Sequence, residues 1–507
     1  MKRFSSDWVN TFPRFDDVML SLAATRKQPA GMGREYREVM ALARAFNDEV
    51  VRPYALKLDR EVSRDPTFLP FEFVAEANRW GLYSLWIPRI FGGRGYSLPT
   101  ICLFLEELAS ACTAMANLVG VHYLGIATLF SSWNAEAASR ICREVVEGER
   151  KDRPCLVSLA LTEPDAGTDI EEVALMDKGS ITCRAKRVDG GYSVTGNKVF
   201  ISNGHLSTWH MLFAFEDTGK PSSSLALLAV KTGWEGFSFG RMEKKMGQKG
   251  CPASELIFRD CFVSSEHVLL DPRQVRSLKR SSMDTTMQVI DYIFSASRAG
   301  VCAFGAGVAR GAFETALAYA ETTTVGGVRL VDQGWVQGLL AEMYTNVTLS
   351  RLAYMEANYA NGLYGMYRLL QFKPLYYLMK WSPKWFMQRA VVPLFSKRLA
   401  TWFLRKAHFN LQRDAEISRT SGWASLAKCV GTDAGVKNGQ LALSLMGRTG
   451  VRHDGGAEKH LRDAKLMQIY EGTNQLNRQN LFKCLIGDGG GATGRPFEDE
   501  EVAWNVN

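Results

Sequence analysis

The spacing of apolar residues changes twice along this chain, and those two changes constrain its fold more than any single motif. From about residue 35 to 149 apolar side chains recur at helical spacing, as in Val39-Met40-Ala43-Phe46 and Ile101-Phe104-Leu105-Leu108, with a Gly-rich turn at Phe91-Gly92-Gly93-Arg94-Gly95. Beyond Pro154 the texture becomes short alternating runs broken by turn residues, at 181–185, 190–194, 198–202, 225–230 and 255–258. From Thr285 to Gly487 long helical periods return, including the small-residue stretch 299–307, which permits close helix packing. The pattern predicts an α+β chain: a helical domain at 1-153, a β domain at 154-275 and a second helical domain at 276-487. A Gly-rich, acidic tail follows at 488-507.

A chain of 507 residues exceeds one compact core, and 46% hydrophobic with 22% charged residues argues against a disordered or fibrous protein. Ten cysteines stand singly, among them Cys102, Cys155, Cys302 and Cys484, with no CxxC pair and no Cys/His cluster at zinc spacing. No metal site is predicted, and a reduced compartment fits best. The start, Met1-Lys2-Arg3-Phe4-Ser5-Ser6-Asp7, lacks the apolar region of a signal peptide, and no run of eighteen apolar residues escapes a charge, so neither export nor a membrane span is expected. The net charge of +8 is local. Ten Lys/Arg and no acid lie between Tyr364 and Arg413, and without them 51 basic residues face 53 acidic ones.

Three stretches carry candidate chemistry. In Leu161-Thr162-Glu163-Pro164-Asp165-Ala166-Gly167-Thr168-Asp169, Pro164 and Gly167 fix a turn flanked by two hydroxyls, with N–H groups free to meet a flavin ring or a phosphate. Taken alone, it also reads as a mere turn. In Gly196-Asn197-Lys198-Val199-Phe200-Ile201-Ser202-Asn203-Gly204, Phe200 and Ser202 share one strand face, suited to covering a planar ring and bonding its edge; ordinary strand packing gives the same pattern. The third, from Arg462-Asp463-Ala464 through Ile469-Tyr470-Glu471-Gly472-Thr473-Asn474-Gln475 to Arg478, sets one carboxylate among apolar neighbours before a glycine. A solvated acid at a helix end is the plain alternative for Glu471.

Together, TEPxAG(S/T)D, GxKxxIxNG, RDA…IYEGTxxxxR and the helical, β, helical order resemble the acyl-CoA dehydrogenase family over roughly residues 34 to 487. The resemblance implies a central β-barrel or sandwich domain, a C-terminal four-helix-bundle domain and FAD as cofactor. It implies that Leu161, Thr162 and Thr168 contact the flavin or its phosphate, with Thr168 also near the CoA. Phe200, Ile201 and Ser202 would cover and bond the isoalloxazine, and Thr473, Asn474 and Gln475 would reach the FAD. Tyr470 and Gly472 would line the thioester pocket, Arg298 would lie near the CoA, and Glu471 would be the catalytic base. The implied reaction is α,β-dehydrogenation of an acyl-CoA to the trans-2-enoyl-CoA, as in fatty-acid β-oxidation. Glu471 would take the α proton and flavin N5 the β hydride, with electrons passed to an electron-transferring flavoprotein or a membrane quinone system. Some family members carry the base at a position corresponding to Ser297, and serine cannot serve.

The chain also departs from the family. Thr323 stands where an arginine reaches the neighbouring subunit's FAD pyrophosphate, leaving Arg329 or an insertion residue as a substitute. Gln333 fits the family's glutamine after a one-residue deletion, and of a Gly-Gly pair packing on FAD only Gly447 remains. A homodimer or homotetramer is implied. Residues 362-418 lengthen a helical hairpin that the family keeps short, mixing aromatics such as Tyr376, Trp381, Trp385 and Trp402 with the ten cations. That mixture suits a lipid headgroup layer or a membrane partner, reached through residues 364-413; packing on the enzyme's own helices is the alternative. The expected location is cytoplasmic, peripheral on the inner membrane face. Nucleic acid is not expected, because no recognition motif accompanies the charge. Competing functional readings are a flavin oxidase or monooxygenase on the same fold and a non-catalytic, membrane-docking scaffold.

Overall fold

The structure is a computed structural model, and it describes residues 29, 31–275, 278, 280–365, 368, 372–395 and 398–486. The predicted tail lies outside the described residues. Helices α1 (Met32–Phe46), α2 (Arg52–Arg64), α3 (Phe71–Arg79), α4 (Leu98–Ala111), α5 (Thr113–Ser131) and α6 (Ala135–Arg150) form the first helical unit. α5 corrects one expectation: its 19 residues carry no Asp, Glu, Lys or Arg, and by length and composition it could cross a membrane. It does not face outward. Its apolar window is 83% buried, with Met115, Leu118, Val119 and Ile126 at the centre of the main core.

Eight strands follow as one sheet: β1 (Val157–Ala160), β2 (Arg184–Val188), β3 (Gly191–Ser202), β4 (Trp209–Phe215), β5 (Leu225–Lys231), β6 (Phe237–Met242), β7 (Ala253–Ser264) and β8 (Val268–Leu270). The order is β6-β7-β3-β2-β4-β5-β8, with β1 paired in parallel to β4. β4 is buried along its whole length. Met211 and Phe213 enter the core shared with the helices, whereas Leu212 and Ala214 enter a second core inside the sheet domain. Burial on both faces is why β4 and β5 are mostly apolar and do not alternate.

The second helical unit holds α7 (Ser282–Thr322), α8 (Gly334–Leu363), α9 (Lys373–Trp381), α10 (Arg398–Leu411), α11 (Asp414–Met446), α12 (Ala457–Met467) and α13 (Asn474–Leu481). The stretch 299–307 does bring α7 close to α11: a Cβ added at Gly305 would lie 2.3 Å from the Gly431 backbone.

Between α8 and α11 the basic segment does not simply prolong the hairpin, as the sequence suggested. Pro374, Pro383 and Pro393 fall among α9 and three shorter helical turns, and the segment folds back over the first helical unit. Tyr376 Oη and Lys380 Nζ donate to the buried Glu35 at 2.5 and 2.9 Å. Arg405 is only 7% exposed and donates to Ser132 O (2.9 Å), Gln274 Oε1 (2.8 Å) and Leu269 O. Met387, Val392 and Phe409 of the same segment are also buried. Several of the predicted surface cations therefore serve packing.

Candidate active site

Glu471 lies in the turn between α12 and α13. Its φ is +56° and that of Gly472 is +76°, so two successive residues take left-handed backbone. For a glutamate this costs on the order of 1–3 kcal/mol and persists only where neighbours over-determine it. They do here. Arg298 Nε and Asn477 Nδ2 donate to the Glu471 carbonyl at 3.3 and 3.2 Å, and Lys428 Nζ and Asn477 Nδ2 donate to the Gly472 carbonyl at 2.6 and 2.9 Å. Thr473 Oγ1 then caps α13 by accepting from Leu476 N at 3.2 Å.

The Glu471 carboxylate faces a cavity of about 370 Å3. Its apolar end is built by Leu98, Ile101 and Leu105 of α4, Leu124 of α5 and Phe304 of α7, with Trp86 beyond them. At its other end the cavity gathers most of the residues singled out from sequence: Leu161, Thr162, Thr168, Phe200, Ile201, Ser202, Tyr470, Glu471, Gly472 and Thr473 all line it. Arg298, Gln333, Gly447, Asn474 and Gln475 do not. Arg298 acts on the Glu471 turn from behind. The Asn474 side chain is engaged by Lys428, Thr432 and Asp433. Gln333 caps α8 and accepts from Trp335 Nε1 at 2.7 Å, Gly447 ends α11, and Gln475 is exposed. Arg329 pairs with Asp332 through two hydrogen bonds, at 2.8 and 3.0 Å.

The first two motifs are clamped together from inside. Lys198 Nζ donates to Glu163 Oε1 at 2.7 Å and to Leu161 O at 2.8 Å, with both charged side chains fully buried. Thr182 N and Cys183 N donate to the other Glu163 oxygen at 2.6 and 3.0 Å, and Val199 N reaches Thr162 O at 2.9 Å. The strand is less regular than its sequence suggests: its pairing to β7 shifts between Lys198 and Ile201, and Phe200 has φ +58°. That bulge turns Phe200 outward, 56% exposed, onto the cavity.

Two site residues escaped the sequence reading. Ser297, dismissed as a base, donates its hydroxyl to Glu471 Oε2 at 2.5 Å. Glu171 adds a second carboxylate to the cavity lining, 3.8 Å from Arg298, with its Oε2 buried and without a hydrogen-bond partner. The only local signal was an acid pair, Glu171-Glu172, just after the first motif. Burial raises the pKa of Glu471, opposed by the Ser297 hydroxyl, Arg298 and Lys428. Burial, reinforced by the charge of Glu471, pushes Glu171 up to about 7 against the attraction of Arg298, and burial pushes Lys428 down to about 8. The site is thus a buried carboxylate poised among one acid and two cations, a combination suited to proton abstraction.

Family models match the chain as the acyl-CoA dehydrogenase N-terminal domain over residues 33–149, the middle domain over 158–261 and the C-terminal domain over 287–362 and 396–486. This chain belongs to the acyl-CoA dehydrogenase family. Among curated acyl-CoA dehydrogenase relatives, the Mycobacterium leprae (strain TN) protein named "Probable acyl-CoA dehydrogenase fadE25" is 26% identical over 454 residues, 89% of this chain and 95% of that protein. Cyclohex-1-ene-1-carbonyl-CoA dehydrogenase of Geobacter metallireducens is 26% identical over 452 residues, covering 89% of this chain and 98% of that protein. In fold, the chain is similar to butyryl-CoA dehydrogenase from Megasphaera elsdenii (TM-score 0.67, 21% identity, 88% of this chain and 97% of that one). It is also similar to a glutaryl-CoA dehydrogenase from Mycobacterium smegmatis in complex with FADH2 (TM-score 0.66, 18% identity, 92% and 97%). The acyl-CoA dehydrogenase C-terminal pattern skips residues 363–395, which contain α9.

Proposed function

We propose that the chain is an FAD-dependent acyl-CoA dehydrogenase that converts an acyl-CoA to its trans-2-enoyl-CoA, with Glu471 as the base. The observation that carries this reading is the buried Glu471 carboxylate opening on the same cavity as Phe200 and the hydroxyls of Thr162, Thr168 and Ser202. An exposed aromatic held at positive φ and three hydroxyls within one cavity fit a flavin ring, so Leu161, Thr162, Thr168, Phe200, Ile201, Ser202 and Thr473 would hold it. When bound, FAD supplies the acceptor for the β hydrogen. Glu471 takes the α proton; burial keeps this carboxylate more basic than usual, and Ser297 holds it until substrate arrives. Tyr470 and Gly472 wall the thioester end, and Arg298 fixes the turn that aims the base.

Gln333, Gly447 and Gln475 lie away from this chain's own cavity, and in this reading they meet the cofactor of a neighbouring copy. Trp335, Tyr344 and Leu352 on α8, each more than half exposed, support such self-association. The electron acceptor, by family resemblance, is an electron-transferring flavoprotein. Anaerobic titration with acyl-CoA tests the core reading: the yellow protein bleaches, and Glu471→Gln stays yellow, having lost a group that contributes about 10²–10⁴ in rate. A colourless protein that FAD cannot reconstitute would sink it.

A further inference from the structure

Behind the apolar end of the first cavity lies a second, of about 340 Å3. Trp86 and Leu98 line both, so those two side chains form the partition. The new chamber is walled by Met32 and Glu35 of α1, Arg89 and Arg94 between α3 and α4, and Tyr376 and Lys380 of α9. The wall that α9 supplies falls in the segment that the family pattern skips.

Its chemistry differs from that of the first cavity. Glu35 is 2% exposed and already saturated: Tyr376 Oη and Lys380 Nζ donate to Oε1, while Thr100 Oγ1 (3.2 Å) and Ser97 N (3.3 Å) donate to Oε2. Arg89 is not saturated, since its Nε is buried with no hydrogen-bond partner. Arg89 also lines the chamber, and a guanidinium is best matched by a carboxylate. Among the lining side chains three cations, Arg89, Arg94 and Lys380, also outnumber the carboxylates Glu35 and Glu38.

We propose that this chamber receives the far end of a long acyl chain bearing a terminal carboxylate, so that α9 makes the enzyme selective for ω-carboxyacyl thioesters. The inference rests on the acyl-CoA reading above. The methylenes cross where Trp86 and Leu98 line both cavities, and the carboxylate meets Arg89.

The test uses the FAD-loaded enzyme with butyryl-, palmitoyl- and hexadecanedioyl-CoA. Hexadecanedioyl-CoA is expected to exceed palmitoyl-CoA in kcat/KM by about tenfold or more, as for a charge-assisted hydrogen bond. Arg89→Leu brings that ratio close to one. Met379→Trp, which fills the chamber from α9, lowers both long substrates relative to butyryl-CoA by a similar factor. Palmitoyl-CoA matching hexadecanedioyl-CoA, or a ratio unmoved by Arg89→Leu, overturns the proposal. Calorimetric Kd values for the two long thioesters on FAD-loaded Glu471→Gln separate the chamber from the chemistry. A tenfold binding preference without turnover in the wild type keeps the chamber and removes the dehydrogenation, whereas equal Kd values remove the chamber.

Discussion

Glu471 is pulled in opposite directions, its basicity raised by burial and lowered by Ser297, Arg298 and Lys428. Glu171, pushed up to about 7, adds a negative neighbour that appears only as pH rises. The acid limb of kcat/KM is therefore expected above the ordinary carboxylate range. Ser297→Ala, which deletes a donor to the carboxylate, should move the limb to higher pH. A limb unmoved by that substitution would refute the role of the hydroxyl. Stability follows with a definite sign. A carboxyl whose folded pKa is raised binds more protons folded than unfolded, so its contribution is full below about 4.5 and is lost as pH climbs toward 7. Denaturant titrations of Glu171→Gln should accordingly show a flatter loss of stability across that window. The Glu471 turn was legible because it needs a local run, Tyr470-Glu471-Gly472-Thr473. Ser297 and Glu171 were not, because each meets Glu471 through folding alone; the Ser297 bond spans 174 residues.

At the scale of elements, the buried Glu163–Lys198 pair fastens the first motif's turn to β3 and so sets where Thr162 and Phe200 stand. Removing one partner strands a charge in a fully buried site, which costs about 3–5 kcal/mol. Lys198→Met should lose stability on that order by denaturant unfolding, and the double variant Glu163→Gln/Lys198→Met should recover part of it. A single variant as stable as the wild type would show that the pair does not hold the turn. The periodicity of the sequence marked where helices give way to strands and picked out parts of β2, β3, β5 and β7, since each element buries one face or two and its pattern reports that directly; it missed β1, β4, β6 and β8. It did not show the shift between Lys198 and Ile201 that turns Phe200 outward, because a bulge is set by how two strands register and β7 lies some 55 residues on. Nor did it show what α9 packs against: a helix pattern says that a face is buried, not beneath what.

For the whole molecule, the basic segment divides between inside and outside. Arg405 and Lys380 are held against the first helical unit and Arg368 lies near Glu416, so these three charges are spent on joining parts of the chain. Outward, Trp381 is 71% exposed, Trp385 64%, Phe403 65% and Trp402 49%, with Lys406 over the Trp402 ring at 4.5 Å. Large aromatics standing in solvent beside cations are what a headgroup layer accommodates, each basic residue adding about 1 kcal/mol at an anionic surface. Cutting out residues 364–413 would be a poor test of lipid contact, because it also removes Arg405, Phe409 and the wall of the second chamber. Replacing Trp381, Trp385, Trp402 and Phe403 together by serine leaves those buried contacts in place. The wild type is expected to float with vesicles rich in phosphatidylglycerol and to release them as salt rises, since the attraction is screened. The fourfold variant should stay in the soluble fraction with its Tm and bound FAD retained. If wild type and variant both stay soluble, the exposed aromatics do not meet lipid, and a protein partner or a second copy of the chain becomes their occupant.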